Sequence, residues 1–169
     1  MARLRAMERI TDYLLEDHRA IEALLARATG TAFDLDAFTE MRKRLLRHIA
    51  VEEKVLFPAV LARAPDALPD AKQLKIEHAA IGSLLVPTPD LALATEIATI
   101  LAVHDDREES AGGVYERCER ALGDTSSEVL ARARAVPPVR ASAYLDRPGL
   151  RRTASEALAA ASRARTSGT

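Results

Sequence analysis

Tryptophan is absent from this sequence, cysteine occurs once, and Phe and Tyr together supply only six residues. So few large flat side chains argue against a sheet-based core, where aromatic and β-branched residues dominate. The lone Cys118 excludes an internal disulfide framework and fits a reducing compartment. No apolar run approaches the 18 or so residues that span a bilayer, and "MARLRAMERI" lacks the apolar stretch of a secretory signal. The expectation is a cytoplasmic protein with no membrane association. Charge of one sign is also missing: 24 basic against 25 acidic residues leave a net −1, so nothing global favours nucleic acid.

What is present is Ala, Leu, Arg and Glu, residues that lose little on entering a helix. The 169 residues suffice for one domain with a sizeable core. Apolar periodicity predicts four long helices. The first runs from about Met7 to Ala28 on Ile10, Leu14, Ile21 and Leu25, and "TGTAFD" ends it. A second spans about Leu35 to Ala62, with Pro58 expected to kink it or end it early. A third spans about Ala71 to Leu85. The fourth runs from about Asp90 to Leu122, capped by Thr88 with Pro89 and interrupted, or at least weakened, by "AGG" at 111–113. Short loops between them make the expected fold all-α, an antiparallel up-down-up-down four-helix bundle over residues 7–122.

Residues 123–169 differ in character and are expected to form an additional, partly flexible helical tail. Thr125 with Glu128 and Thr153 with Glu156 mark two short helices around a Pro-bearing connector, and "ASRARTSGT" should fray. From residue 125 on there are eight Arg and three acidic residues, whereas the preceding chain holds 16 basic and 22 acidic. The tail could therefore lie across the acidic bundle or engage a partner, including a homodimer formed through it. Aromatic interleaving is lacking, so nucleic-acid binding is not favoured.

The four histidines fall one per bundle helix: His18, His48, His78 and His104. Two continue as H-x-x-x-E, in "HIAVE" (His48, Glu52) and "HDDRE" (His104, Glu108), and residues four apart stack on one helix face. Advancing about 100° per residue places each imidazole among the apolar stripe of its helix, with Glu52 and Glu108 about 40° round. Two carboxylates in an apolar core are costly unless paired or metal-bound. Four His and two Glu exceed one tetrahedral zinc site and suit two adjacent ions with the carboxylates bridging. Two His per ion plus one oxygen from each Glu makes four protein ligands. A bridging oxide or hydroxide would add a fifth and leave room for an exogenous molecule. Mixed imidazole and carboxylate donors favour iron, then manganese, with zinc less suited.

Neighbouring residues have weaker claims. Glu22 follows His18 by four but lies toward the rim of its stripe. Glu53 and Glu109 turn about 140° from their histidines, so they are expected in solvent or in salt bridges. Asp17 and Glu77 are candidates to orient imidazoles of other helices, set against the commoner role of surface charge. Tyr115, three turns from His104 on a continuous helix, would stand roughly 16 Å along the axis, too far to ligate. Cys118 is expected to fill core space.

The segments "EDHRAIEALL", "LLRHIAVEEKVLFPAV", "KIEHAAIGSLL" and "VHDDREES" resemble the four helices of the hemerythrin-like HHE cation-binding family, over about residues 12–122. The resemblance implies a non-haem di-iron centre with His18, His48, Glu52, His78, His104 and Glu108 as ligands and the two Glu bridging. Oxygen-carrying hemerythrins have a further His where this chain has Gly82, and place the last carboxylate one residue later, at the position of Glu109. The pattern here is more similar to the repair-of-iron-centres and iron-sensing types. It implies a protein that binds or reacts with O2, NO or peroxide, or a metal- or oxygen-responsive sensor whose tail engages a partner. A ferritin-type oxidase is disfavoured, since its signature is E-x-x-H rather than H-x-x-x-E.

Overall fold

The computed structural model describes residues 8–166, so the expected helix start at Met7 and the last three residues of the expected frayed end lie outside it. Every described element is helical: α1 (Ile10–Ala28), α2 (Leu35–Val51), α3 (Phe57–Arg63), α4 (Ala71–Leu84), α5 (Leu91–Glu109), α6 (Val114–Leu122), α7 (Ser126–Arg134) and α8 (Ala154–Thr166). A π-turn over Glu52–Leu56 joins α2 to α3, so the pair is one long bundle helix. With α1, α4 and α5 it forms the four-helix bundle, and α8 adds a further helix against α4. None of these helices is long and apolar enough to cross a membrane.

Pro58 does not end its helix. The Phe57 amide bonds to Glu52 O, an i→i+5 pairing that widens the turn ahead of the proline. That widening accommodates a residue with no N–H to donate and a ring that crowds the preceding turn. The fourth helix does break, between Glu109 and Val114, with Gly112 at φ +74°. Its N-cap is Asp90, whose carboxylate accepts from Leu93 N at 2.8 Å, rather than Thr88. Thr88 instead donates through its amide and hydroxyl to Asp146 of the tail, at 3.0 and 2.6 Å.

The apolar interior is divided in two. An upper cluster gathers Ile21, Phe38, Met41, Leu45, Ile81, Leu84 and Ile97. A lower cluster gathers Ile10, Leu14, Val55, Phe57, Leu74, Val114 and Leu130. Between them, at the level of the histidines, lies a layer of buried polar side chains.

The described residues beyond 123 pack on this frame. Val129, Leu130 and Ala133 of α7 belong to the lower cluster, and the Arg47 guanidinium donates to the carbonyls of Ala133 and Val136. The connector crosses α2 through Arg42, which donates to Ser142 O at 2.8 Å and lies over the Tyr144 ring. Arg152 pairs with Asp90 at 2.6 Å. α8 remains helical to Thr166 where fraying was expected, because Ala157, Leu158 and Ala161 pack on the upper cluster. Of the two expected capping boxes, Thr153 Oγ1 accepts from Glu156 N at 3.4 Å, while the Thr125 hydroxyl turns back to Leu122 O.

Candidate metal centre

Each of the four bundle helices brings one imidazole into the polar layer, and all four Nε2 atoms face inward. His18 Nε2 lies 2.9 Å from His48 Nε2, and His78 Nε2 lies 3.3 Å from His104 Nε2. Glu52 and Glu108 stand between the two pairs, both fully buried. Glu52 divides its oxygens: Oε1 is 3.4 Å from His48 Nε2 and Oε2 is 3.2 Å from His78 Nε2. Glu108 presents Oε2 to His18 and to His104, at 3.4 Å each. Two donor groups result, His18–His48–Glu52–Glu108 and Glu52–His78–His104–Glu108, with the ligand atoms of each within 4.8 Å of one another. All six residues expected from the sequence are thus brought together. Glu22 is exposed and belongs to neither group.

The outward nitrogens follow one rule. His18 Nδ1 meets Glu109 at 2.5 Å, His48 Nδ1 meets Asp17 at 3.4 Å, His78 Nδ1 meets Glu53 at 3.0 Å and His104 Nδ1 meets Glu77 at 2.9 Å. Every imidazole therefore has a carboxylate to take its Nδ1 proton, and each carboxylate adjoins a residue of the cluster in sequence but serves an imidazole of another helix. Asp17 and Glu77 do orient neighbouring imidazoles rather than decorate the surface. Glu53 and Glu109, half-exposed, do the same from the rim.

This pattern tests whether the residues suit a metal. In neutral imidazoles with Nδ1 donating, each Nε2 carries a lone pair, and two lone pairs facing each other at about 3 Å repel unless a proton or a metal cation takes them up. Glu52 Oε2 and both oxygens of Glu108 are buried without any hydrogen-bond donor, a cost a protein interior rarely carries. Metal cations held by the two groups would satisfy these atoms. The donor set fits.

Protonation reflects the same crowding. Burial, reinforced by the charge of Glu52, pushes the Glu108 carboxyl up to about 8. Burial alone would lower His78, but the Glu52 and Glu53 carboxylates beside its ring prevail and carry it to about 9. Glu77 moves the other way: hydrogen bonds from His104 and Gln73 outweigh burial and hold it at about 2. Asp105, whose Oδ1 is 4.0 Å from His18 Nε2, is pushed by burial to about 6.

One residue is misplaced by helical periodicity. Tyr115 does not stand a long way down a continuous helix; its Oη donates to Glu52 Oε1 at 2.6 Å. The break between Glu109 and Val114 redirects α6 so that the phenol points back at the cluster. The signal available in the sequence was the "AGG" at 111–113, since a broken helix invalidates the axial distance. Cys118 is buried in the lower cluster as expected.

No curated protein and no solved structure matches this chain. A family does: residues 9–111, which include all four imidazoles and both buried carboxylates, match the hemerythrin HHE cation binding domain. The helical bundle and its two buried His/Glu groups that could hold metal are compatible with a cation-binding domain. The chain belongs to the hemerythrin HHE cation-binding family.

Proposed function

We propose that this is a non-haem di-iron protein that binds or reacts with a small molecule, O2, NO or peroxide, in the bundle core. The observation that carries the reading is the sharing of Glu52 and Glu108 by two His-pair donor groups. When bound, two iron ions would supply adjacent redox-active centres with positions free for a small exogenous ligand. The chain's own part is positional. Four carboxylates hold the imidazoles by Nδ1 so that the Nε2 lone pairs converge. Two apolar clusters close the layer from above and below and keep bulk water away. Each ion would be held by two imidazoles together with Glu52 and Glu108, a protein donor set small enough to leave room for a small exogenous ligand.

An optical spectrum of the protein loaded anaerobically with Fe(II), before and after oxygen, tests this. A charge-transfer band that appears with O2 and vanishes on degassing signifies reversible binding. Irreversible oxidation to a ferric pair signifies redox chemistry, with NO and peroxide the next substrates. Failure to retain iron removes the reading.

A sensing role is the second reading, and α8 favours it. This helix packs on α4 and α5, and Leu158 shares a cleft with Glu77 and Arg107, the groups that stand behind His104. A change of ligand state at His104 would reach α8 through that wall. Hydrogen exchange over residues 154–166 in the full chain, ferrous against ferric, tests it; equal protection in both states would remove it.

A further inference from the structure

The two halves of the centre are related by an internal repeat. Asp17 and His18 recur sixty residues later as Glu77 and His78, and His48, Glu52 and Glu53 recur fifty-six residues later as His104, Glu108 and Glu109. The contacts repeat as well: Asp17 on His48 matches Glu77 on His104, and Glu109 on His18 matches Glu53 on His78. Tyr115 breaks this equivalence. Fifty-six residues before it stands Ala59, which has no donor atom beyond its backbone. The ring beside the His78 pair is Phe57, stacked on His78 at 6.3 Å between centroids, and it too offers no donor.

The phenol is placed as a ligand would be. Tyr115 Oη lies 2.6 Å from Glu52 Oε1, 3.1 Å from His18 Nε2 and 3.4 Å from His48 Nε2. Donors at right angles on one ion, with bonds of about 2.1 Å, stand about 3 Å apart. The spacings among His18, His48, Glu52 and Tyr115 are of that size. A buried phenol needs one acceptor, which Glu52 alone provides. That need does not explain why the hydroxyl also faces two inward imidazole nitrogens whose lone pairs are committed to the centre.

We infer that Tyr115 is a seventh protein ligand, binding Fe(III) at the His18/His48 position only and making the two metal positions inequivalent. The inference rests on the di-iron reading above. On binding, the phenolic O–H bond breaks, an O–Fe bond forms, and the proton is released to solvent; no electron is transferred.

Full-length protein and a Tyr115→Phe variant would be loaded anaerobically with Fe(II), oxidised with ferricyanide and assayed for iron. The expected wild-type product shows a visible phenolate-to-Fe(III) charge-transfer band with resonance-enhanced tyrosine ring modes. Tyr115→Phe should lose both while keeping two irons. Of the two other tyrosines, Tyr13 meets Arg47 and Tyr144 meets Thr39, so the band reports on Tyr115. Two irons with the same spectrum in both proteins would overturn the ligand assignment and leave the di-iron reading intact. Iron retained by neither protein removes both. Should only the variant lose iron, the wild-type resonance Raman spectrum decides: ring modes support the assignment and their absence overturns it.

Discussion

Glu77 Oε2 lies 2.9 Å from Nδ1 of His104, although the histidine that Glu77 adjoins in sequence is His78 on its own helix. The orienting carboxylates are thus exchanged between helices. Neither α4 nor α5 holds a complete half of the centre; the helices must dock for each imidazole to acquire its tautomer and direction.

Replacing Glu77 by Gln should weaken the His78/His104 position selectively. Loss of such an outer carboxylate typically lowers metal affinity about 10–100-fold. Iron titration should then show the affinity of one equivalent lowered relative to the wild type and that of the other unchanged.

Glu52→Ala removes an oxygen donor from both positions at once, since Oε1 and Oε2 face different His pairs. Metal analysis after desalting should find at most one iron per chain. Glu22→Ala, at an exposed position outside both groups, should retain two. Full loading of Glu52→Ala would remove the bridging role.

The chelator-treated protein should lose stability as pH rises. His78 has its folded value raised to about 9 from an ordinary 6.5. The folded state then binds more protons than the unfolded one, so this stabilisation is complete below pH 6.5 and is lost as pH climbs through 9. Glu108, raised to about 8 from 4.5, acts in the same direction over pH 4.5 to 8. Metal binding requires deprotonated ligands and strengthens over the same range. The gap in Tm between iron-loaded and chelated protein should widen from pH 6.5 to 9; a constant gap would contradict the protonated cluster.

Two glycines should respond oppositely to alanine. A Cβ at Gly113 would stand 2.6 Å from Ser110 O and 2.8 Å from Glu108 O, both backbone atoms that cannot turn aside. Gly113→Ala should cost about 1–3 kcal/mol and disturb the approach of Tyr115 to Glu52. At Gly82, inside α4, a Cβ meets nothing within 4 Å. Gly82→Ala should stabilise by about 0.5–1 kcal/mol through helix propensity. Urea denaturation of both variants checks the pair.

Helical periodicity is a local property, and it made much of this protein legible. Side-chain direction along a helix follows from residue spacing alone. His18, His48, Glu52, His78, His104 and Glu108 could therefore be placed on one interior from their positions among Leu, Ile and Val. Pro58 and the residues at 111–113 show where that reading stops. One helix widened around its proline and continued; the other broke, and its last turns pointed elsewhere.

What the chain alone determined is the inventory of the layer: one imidazole per helix, two H-x-x-x-E carboxylates, and apolar residues on either side to bury them. Which carboxylate meets which Nδ1, and that Tyr115 reaches Glu52 at all, were decided only by tertiary structure. Those contacts join residues 25 to 91 positions apart. They depend on helix rotation, axial offset and the direction taken after Gly113, none of which a residue's own neighbours specify.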